Sequence, residues 1–287
     1  MINYCHISPV STLNKVAGYN THLLLAHLVE ENEAYRNFYI DLKKKNPGVF
    51  YHLDNSAFEK FKRGEEFYNP DKLMDMARLV SANSIVMSDY PKEPSSKTIE
   101  AAKTLIPKFK SAGFQTFFCP QSELGDIEGL ISSFDWAIKN RDIDFIGVSI
   151  LACPIALGIN EQKYEDGRRD ESYRMQRYLA RWRIFEILRQ RGMLDDVSTS
   201  YRFHCLGMTD GPREIDLLRQ YHKHIFSWDS SMSVWRAING LGFDDSPTGL
   251  RHGKYEEEVD FDIPLIDDVD IFNKLDENLD FVDRLCL

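Results

Sequence analysis

Three aspartates stand where short apolar runs give way to polar residues. Asp54 follows Val49-Phe-Tyr-His-Leu53, Asp89 follows Ser84-Ile-Val-Met87, and Asp229 lies within Ile225-Phe-Ser-Trp-Asp-Ser-Ser231. Gln121 follows Phe114-Gln-Thr-Phe-Phe-Cys119, Gly147 lies in Phe145-Ile-Gly-Val-Ser-Ile150, and Gly207 comes directly after Tyr201-Arg-Phe-His-Cys-Leu206. Two carboxylates facing one substrate suit glycosyl chemistry: one attacks the anomeric carbon while the other protonates the leaving group. A further Asp and a Gln suit the edge of a guanine-like base, Asp accepting from its N–H and amino groups and Gln donating to its carbonyl. Asp229 has a second reading, because an Asp just before the helix-forming run Met232 to Gly240 also fits a helix N-cap. The cysteines (Cys5, Cys119, Cys153, Cys205 and Cys286) are scattered without a C-x-x-C pair, so they read as buried thiols. No zinc site is expected from them. Magnesium held by carboxylates stays open as an alternative.

These positions need a scaffold that brings them together. Apolar runs, polar ends and helical patterns alternate about every 30 residues: a helix over His22 to Lys45, another over Pro70 to Ala82, then Ser96 to Ala112, Asp126 to Asn140 and Pro212 to His222. That rhythm predicts parallel βα units and an α/β fold of the (β/α)₈ TIM-barrel type, with the strand ends meeting at one mouth. An open doubly wound sheet is the alternative, but no G-x-G-x-x-G follows the first strand.

Residues 1–254 are read as the barrel, with an insertion at about 151–200, and 255–287 as an acidic tail that packs on it. The formal charge of −10 belongs wholly to that tail, because residues 1–254 carry 33 acidic and 33 basic side chains. The body is therefore able to present a basic face. Within the insertion, Glu171 to Gly192 reads as one helix with Met175, Leu179, Trp182, Phe185 and Leu188 on its apolar side. Arg174, Arg177 and Arg181 fall on a neighbouring face and suit phosphate contact, as do Arg251, His252 and Lys254 downstream of Asp229. A solvated amphipathic helix explains the first three equally well. No apolar run of transmembrane length and no secretory signal is read, so the reading is of a cytoplasmic protein with no membrane partner.

Taken in order, the strand ends resemble the tRNA-guanine transglycosylases, and more closely their phage relatives that place 7-deazaguanines in DNA. Asp54-Asn-Ser-Ala-Phe58 is similar to that family's Asp-Ser-Gly-Gly-Phe/Tyr-Gln, and Ser88-Asp-Tyr-Pro91 to its Phe-Asp-Glu-Cys. Phe118-Cys-Pro-Gln121 resembles the strand ending in the base-reading Gln, and Ile146-Gly-Val148 the strand offering a backbone amide. His204-Cys-Leu-Gly207 resembles Tyr-Leu-Met-Gly, Ser227-Trp-Asp-Ser230 stands for Met-Phe-Asp-Cys, and Arg251-His-Gly253 for Arg-x-Gly.

The resemblance implies that Asp229 is the nucleophile of a covalent glycosyl-enzyme and Asp54 the general acid/base. Asp89, Gln121 and the Gly147 amide would read the purine edge, with Phe58 and Leu206 sandwiching the ring and Val148 and Gly207 also counted among the substrate-binding residues. It implies exchange of guanine in DNA for a free 7-deazaguanine such as 7-cyano-7-deazaguanine, with no cofactor beyond that base. The family's Cys-x-Cys-x-x-Cys zinc motif is absent from the sequence, which turns the expectation from tRNA towards DNA. Exchange on tRNA, a non-catalytic nucleic-acid-binding subunit and an unrelated barrel hydrolase are the alternatives. A homodimer or an accessory protein are the candidate protein partners.

Overall fold

A computed structural model describes residues 1–160, 170–195, 199–200, 202–208, 210–250 and 268–287, without the side chains of Phe58 and Lys62. Its centre is a single parallel sheet of eight strands: β1 (Asn3–His6), β2 (Thr21–Leu25), β3 (Phe50–Asp54), β4 (Ser84–Val86), β5 (Gln115–Phe118), β6 (Phe145–Ser149), β7 (Phe203–Leu206) and β8 (Ile225–Ser230). The strand order is β1-β8-β7-β6-β5-β4-β3-β2, and β1 packs beside β2 across the remaining seam. The sheet is thus a nearly closed (β/α)₈-type barrel with helices around it.

The helices are α1 (Leu13–Val16), α2 (Ala26–Glu31), α3 (Glu33–Lys45), α4 (Ala57–Arg63), α5 (Pro70–Val80), α6 (Ser95–Ser111), α7 (Ile127–Lys139), α8 (Ala152–Ala156), α9 (Glu171–Tyr178), α10 (Ala180–Gln190), α11 (Glu214–Leu217), α12 (Met232–Ile238) and α13 (Val269–Cys286). The expected helix from His22 to Lys45 is a strand and two helices. Thr21–Leu25 pairs residue for residue with Phe50–Asp54, and a short apolar run alone does not distinguish a buried strand from a helix. Asn32, in an extended conformation, ends α2 and caps α3 by accepting the Tyr35 N–H at 3.0 Å. The expected helix at Pro212 to His222 shrinks to α11 followed by 3₁₀ turns at Arg219–His224.

The arginine-rich segment also departs from expectation. It breaks at Leu179 into α9 and α10, Met175 is 39% exposed, and Arg177 and Arg181 lie on the buried face with Tyr173, Ile184 and Phe185. Arg181 is fully buried. Its Nε and Nη2 donate to the two Glu214 carboxylate oxygens at 2.7 and 2.5 Å, and Nη1 donates to the carbonyls of Val148 (3.3 Å) and Leu206 (3.1 Å). The guanidinium also lies 4.5 Å from the centre of the Trp228 ring. Arg177 is buried with its Nε 3.4 Å from Asp210. Neither guanidinium faces solvent, so the reading of Arg177 and Arg181 as phosphate contacts is corrected. Helical spacing cannot tell a solvated cation from one whose charge is met inside the core. Arg174 is half-buried, and Arg251, His252 and Lys254 lie outside the described residues.

The last helix covers β1 and α12. Leu275, Leu279, Val282 and Leu285 of α13 are buried, while its acidic residues face outward or meet partners: Lys15 pairs with Asp276 at 2.7 Å, and the Tyr19 hydroxyl donates to Asp283 at 2.8 Å. The Ile2 N–H donates to the Cys286 carbonyl at 3.0 Å. No helix of the described residues is long and apolar enough to cross a membrane.

The buried ion pair gives a direct stability test. Arg181→Ala leaves the buried Glu214 carboxylate without its hydrogen-bonded ion-pair partner, and urea unfolding should report a loss of about 3–5 kcal/mol. Replacing both partners with apolar residues, Arg181→Met with Glu214→Leu, should return most of that loss.

Candidate active site

Successive inward-facing residues of a strand are two apart, so each strand stacks its interior side chains along the barrel axis. On β3 the order is Phe50, His52, Asp54. Phe50, Phe145 and Phe226 meet at ring-centre distances of 5.1–5.7 Å and fill the end where the strands begin. Above them His52, Phe117 and His204 pack edge to face, with the two imidazoles 5.2 Å apart. The carboxylates come last, at the end where the strands finish.

Asp229 is buried within β8 and does not cap α12, whose N-cap position is Ser231. Its Oδ1 lies 2.8 Å from His204 Nε2 and accepts the Gly207 N–H at 3.2 Å. Gly207 holds φ +71°, and a Cβ there would meet Ile150 Cγ2 at 2.8 Å, so a side chain at this position would displace the amide from Asp229. Behind Asp229 runs a row of polar contacts: His204 Nδ1 to Ser227 Oγ (2.6 Å), Ser227 Oγ to His52 Nε2 (3.4 Å), and His52 Nδ1 to Ser84 Oγ (2.6 Å).

Asp54 accepts the Ser56 N–H at 2.8 Å through Oδ2. Ser56 adopts the left-handed conformation (φ 53°, ψ 31°), and its Oγ accepts the His27 N–H at 3.2 Å while lying 3.0 Å from His27 Nδ1. Burial pushes the Asp54 carboxyl well above the usual carboxylate range; the charges of Glu59, Asp89 and Asp229 push the same way, and the Ser56 N–H opposes them. Asp89 is raised too, by burial, against the donors that hold it. Asn55 Nδ2 reaches its Oδ1 at 2.8 Å and Gln121 Nε2 its Oδ2 at 2.5 Å. Asn55 is itself fixed, donating to the Met87 carbonyl (2.7 Å) and accepting from the Ala57 N–H (2.8 Å).

Asp54, Asp89, Gln121 and Asp229 therefore share the strand-end mouth of the barrel, close enough for Asp54 to feel both other aspartates. Leu206 leans against Gly147, where an added Cβ would come within 2.8 Å of its Cδ1 and 3.1 Å of the Phe117 ring. No protein-family model matches the chain, and neither does any curated protein. Among the described residues no group of three or more His, Cys, Asp or Glu side chains is placed to hold a metal ion, and all five cysteines are buried free thiols.

Two of the residues expected to contact the base are already engaged within the protein. Val148 is fully buried on the outer face of β6 and its carbonyl accepts from Arg181, while the Gly207 N–H is taken by Asp229. The Phe58 side chain lies outside the described structure. His52, His204, Ser227 and Asn55 were not singled out from the sequence as functional. A signal for three of them was present: His52, His204 and Ser227 each precede Asp54, Leu206 and Asp229 by two residues, which puts them on the same interior face.

The raised Asp54 carboxyl predicts a pH-dependent stability change. The folded state holds this proton more tightly than the unfolded chain, so Asp54 costs nothing below its unfolded range, about pH 4, and an increasing amount as pH rises towards its folded value. Asp54→Asn removes that cost and keeps an oxygen for the Ser56 N–H. Thermal unfolding should show the variant more stable than wild type at neutral pH, with the gain vanishing as pH falls to about 4.

Proposed function

We propose that the protein is a base-exchange transglycosylase that replaces guanine in DNA by a free 7-deazaguanine, such as 7-cyano-7-deazaguanine, through a covalent Asp229 intermediate. The observation that carries this reading is the contrast between two carboxylates at one mouth. Asp229 is oriented by an N–H donor and an imidazole, as an attacking carboxylate requires; Asp54 is pushed towards its protonated form, as a general acid requires.

In the first half of the reaction an Asp229 oxygen attacks C1′ of the nucleotide. The C1′–N9 bond breaks, its electron pair leaves on the guanine, and Asp54 supplies a proton to the departing base. In the second half the incoming base loses its N9 proton to Asp54, N9 attacks C1′, and the carboxylate of Asp229 leaves. One glycosidic bond replaces another, so neither ATP nor a redox cofactor is needed. Asp89 and Gln121 read the purine edge: each now satisfies the other, and an arriving base takes over those hydrogen bonds. A target within a duplex is flipped out, at a cost of a few kcal/mol.

Two further points support the family likeness and the choice of nucleic acid. Ser56 holds a left-handed backbone at the position of the first glycine in the family's Asp-Ser-Gly-Gly turn, the geometry for which glycine is ordinarily chosen. The zinc motif of the tRNA enzymes is not in the sequence.

The test offers labelled guanine or 7-cyano-7-deazaguanine with double-stranded DNA, single-stranded DNA and tRNA, and resolves each reaction on a denaturing gel. Label and a protein–DNA adduct should form with DNA and disappear in Asp229→Ala. Label entering tRNA alone would move the substrate to the other branch of the family, and exchange persisting in Asp229→Ala would end the nucleophile assignment. Asp54→Asn should lower the exchange rate about 100- to 10,000-fold, the usual contribution of a general acid.

A further inference from the structure

We propose that His204 is a positioning residue that presents a single N–H to Asp229 Oδ1, with its tautomer set by a directed hydrogen-bond chain through the barrel, and that Oδ2 is therefore the attacking oxygen. The inference rests on the base-exchange reading for the attack, but the direction of the chain follows from the buried contacts alone. An ionised carboxylate only accepts, so the 2.8 Å contact requires the proton to sit on His204 Nε2. A singly protonated His204 then accepts at Nδ1 from the Ser227 hydroxyl, 2.6 Å away. Ser227 has spent its only proton, so its oxygen takes the Nε2–H of His52 at 3.4 Å. Burial holds His52 in its neutral form, which leaves its Nδ1 to accept from the Ser84 hydroxyl at 2.6 Å. Each of the four proton-bearing atoms donates once, and all four donations point towards Asp229.

The chemistry favours this arrangement over an imidazolium at His204. Attack turns the Asp229 carboxylate into a neutral ester, and a charged His204 among Phe117, His52 and the Phe145 layer would be left without a counter-charge. A neutral ring that donates one N–H suits both states. Oδ1 also accepts from Gly207, whereas no donor among the described residues reaches Oδ2. Oδ2 therefore forms the bond to C1′ and Oδ1 becomes the ester carbonyl. When N9 of the incoming base attacks C1′ and the Oδ2–C1′ bond breaks, the electron pair returns to the carboxylate, and the His204 and Gly207 N–H groups receive the charge that reappears on Oδ1.

Two measurements on the full chain test this. In protein carrying ¹⁵N-labelled histidine, spectra near neutral pH should show His204 and His52 each protonated on Nε2 and bare on Nδ1. A proton on Nδ1 of His204, alone or with Nε2, would overturn the proposal whatever the protein acts on. In exchange with labelled guanine and a DNA duplex, His204→Phe should lengthen the life of the covalent adduct about 100-fold, because the leaving carboxylate has lost a donor. His204→Gln, which can place an amide N–H at the same oxygen, should restore turnover to near wild type. Equal adduct lifetimes in wild type and both variants would overturn the role of His204. Absence of any adduct in wild type would sink base exchange itself, and with it the attack by Oδ2, while the spectra would still decide the hydrogen-bond chain.

Discussion

A parallel barrel encloses one face of every strand, and any polar atom on that face must find its partner inside. The constraint is met here in layers. Three phenylalanine rings fill the end where strands begin and need no partners. Two imidazoles and two serine hydroxyls form the middle and satisfy one another across β3, β4, β7 and β8. The surplus reaches the mouth as carboxylates, which are expensive to bury and are held by amides, by Asn55 and by Gln121. Removing the middle layer would leave Asp229 without its imidazole and the aromatic plug without a polar lid.

A second layer of electrostatics holds the barrel from outside. Arg181 reaches from α10 to the carbonyls of Val148 and Leu206, at the ends of β6 and β7, and meets Glu214 beneath them. One fully buried cation thus joins an inserted helix, two strand ends and the start of α11. Its stacking on Trp228 brings β8 into the same joint. The residues flanking Asp229 are consequently fixed on both faces of the sheet, by imidazole within and guanidinium without.

Much of this fold is legible in the sequence, because six of the eight strands, β3 to β8, fall in apolar runs. Thr21–Leu25 is hidden because its leucines merge with the helical pattern that follows. Asp54, Asp89, Gln121 and Asp229 stand out because strand ends are where barrels expose side chains. His52 and His204 do not, since their meaning depends on partners on other strands, 175 and 23 residues away for His52–Ser227 and His204–Ser227. Arg177 and Arg181 mislead for the same reason. Their carboxylate partners, Asp210 and Glu214, lie beyond β7, and spacing within one helix says nothing about them.

The pairing of β1 with β8 has a consequence for synthesis. Asn3 lies opposite Ser227, and Ile2 bonds to Cys286. β1 leaves the ribosome some 220 residues ahead of its hydrogen-bonding neighbour, and at ribosomal rates of about 5–20 residues per second that is a wait of roughly ten seconds or more. Throughout that interval the nascent chain carries an apolar strand with an unpaired edge, including Ile2, Tyr4 and Cys5, all buried once the barrel closes. Closure therefore waits for β8, and until then the open edge of β1 is a natural client for a chaperone.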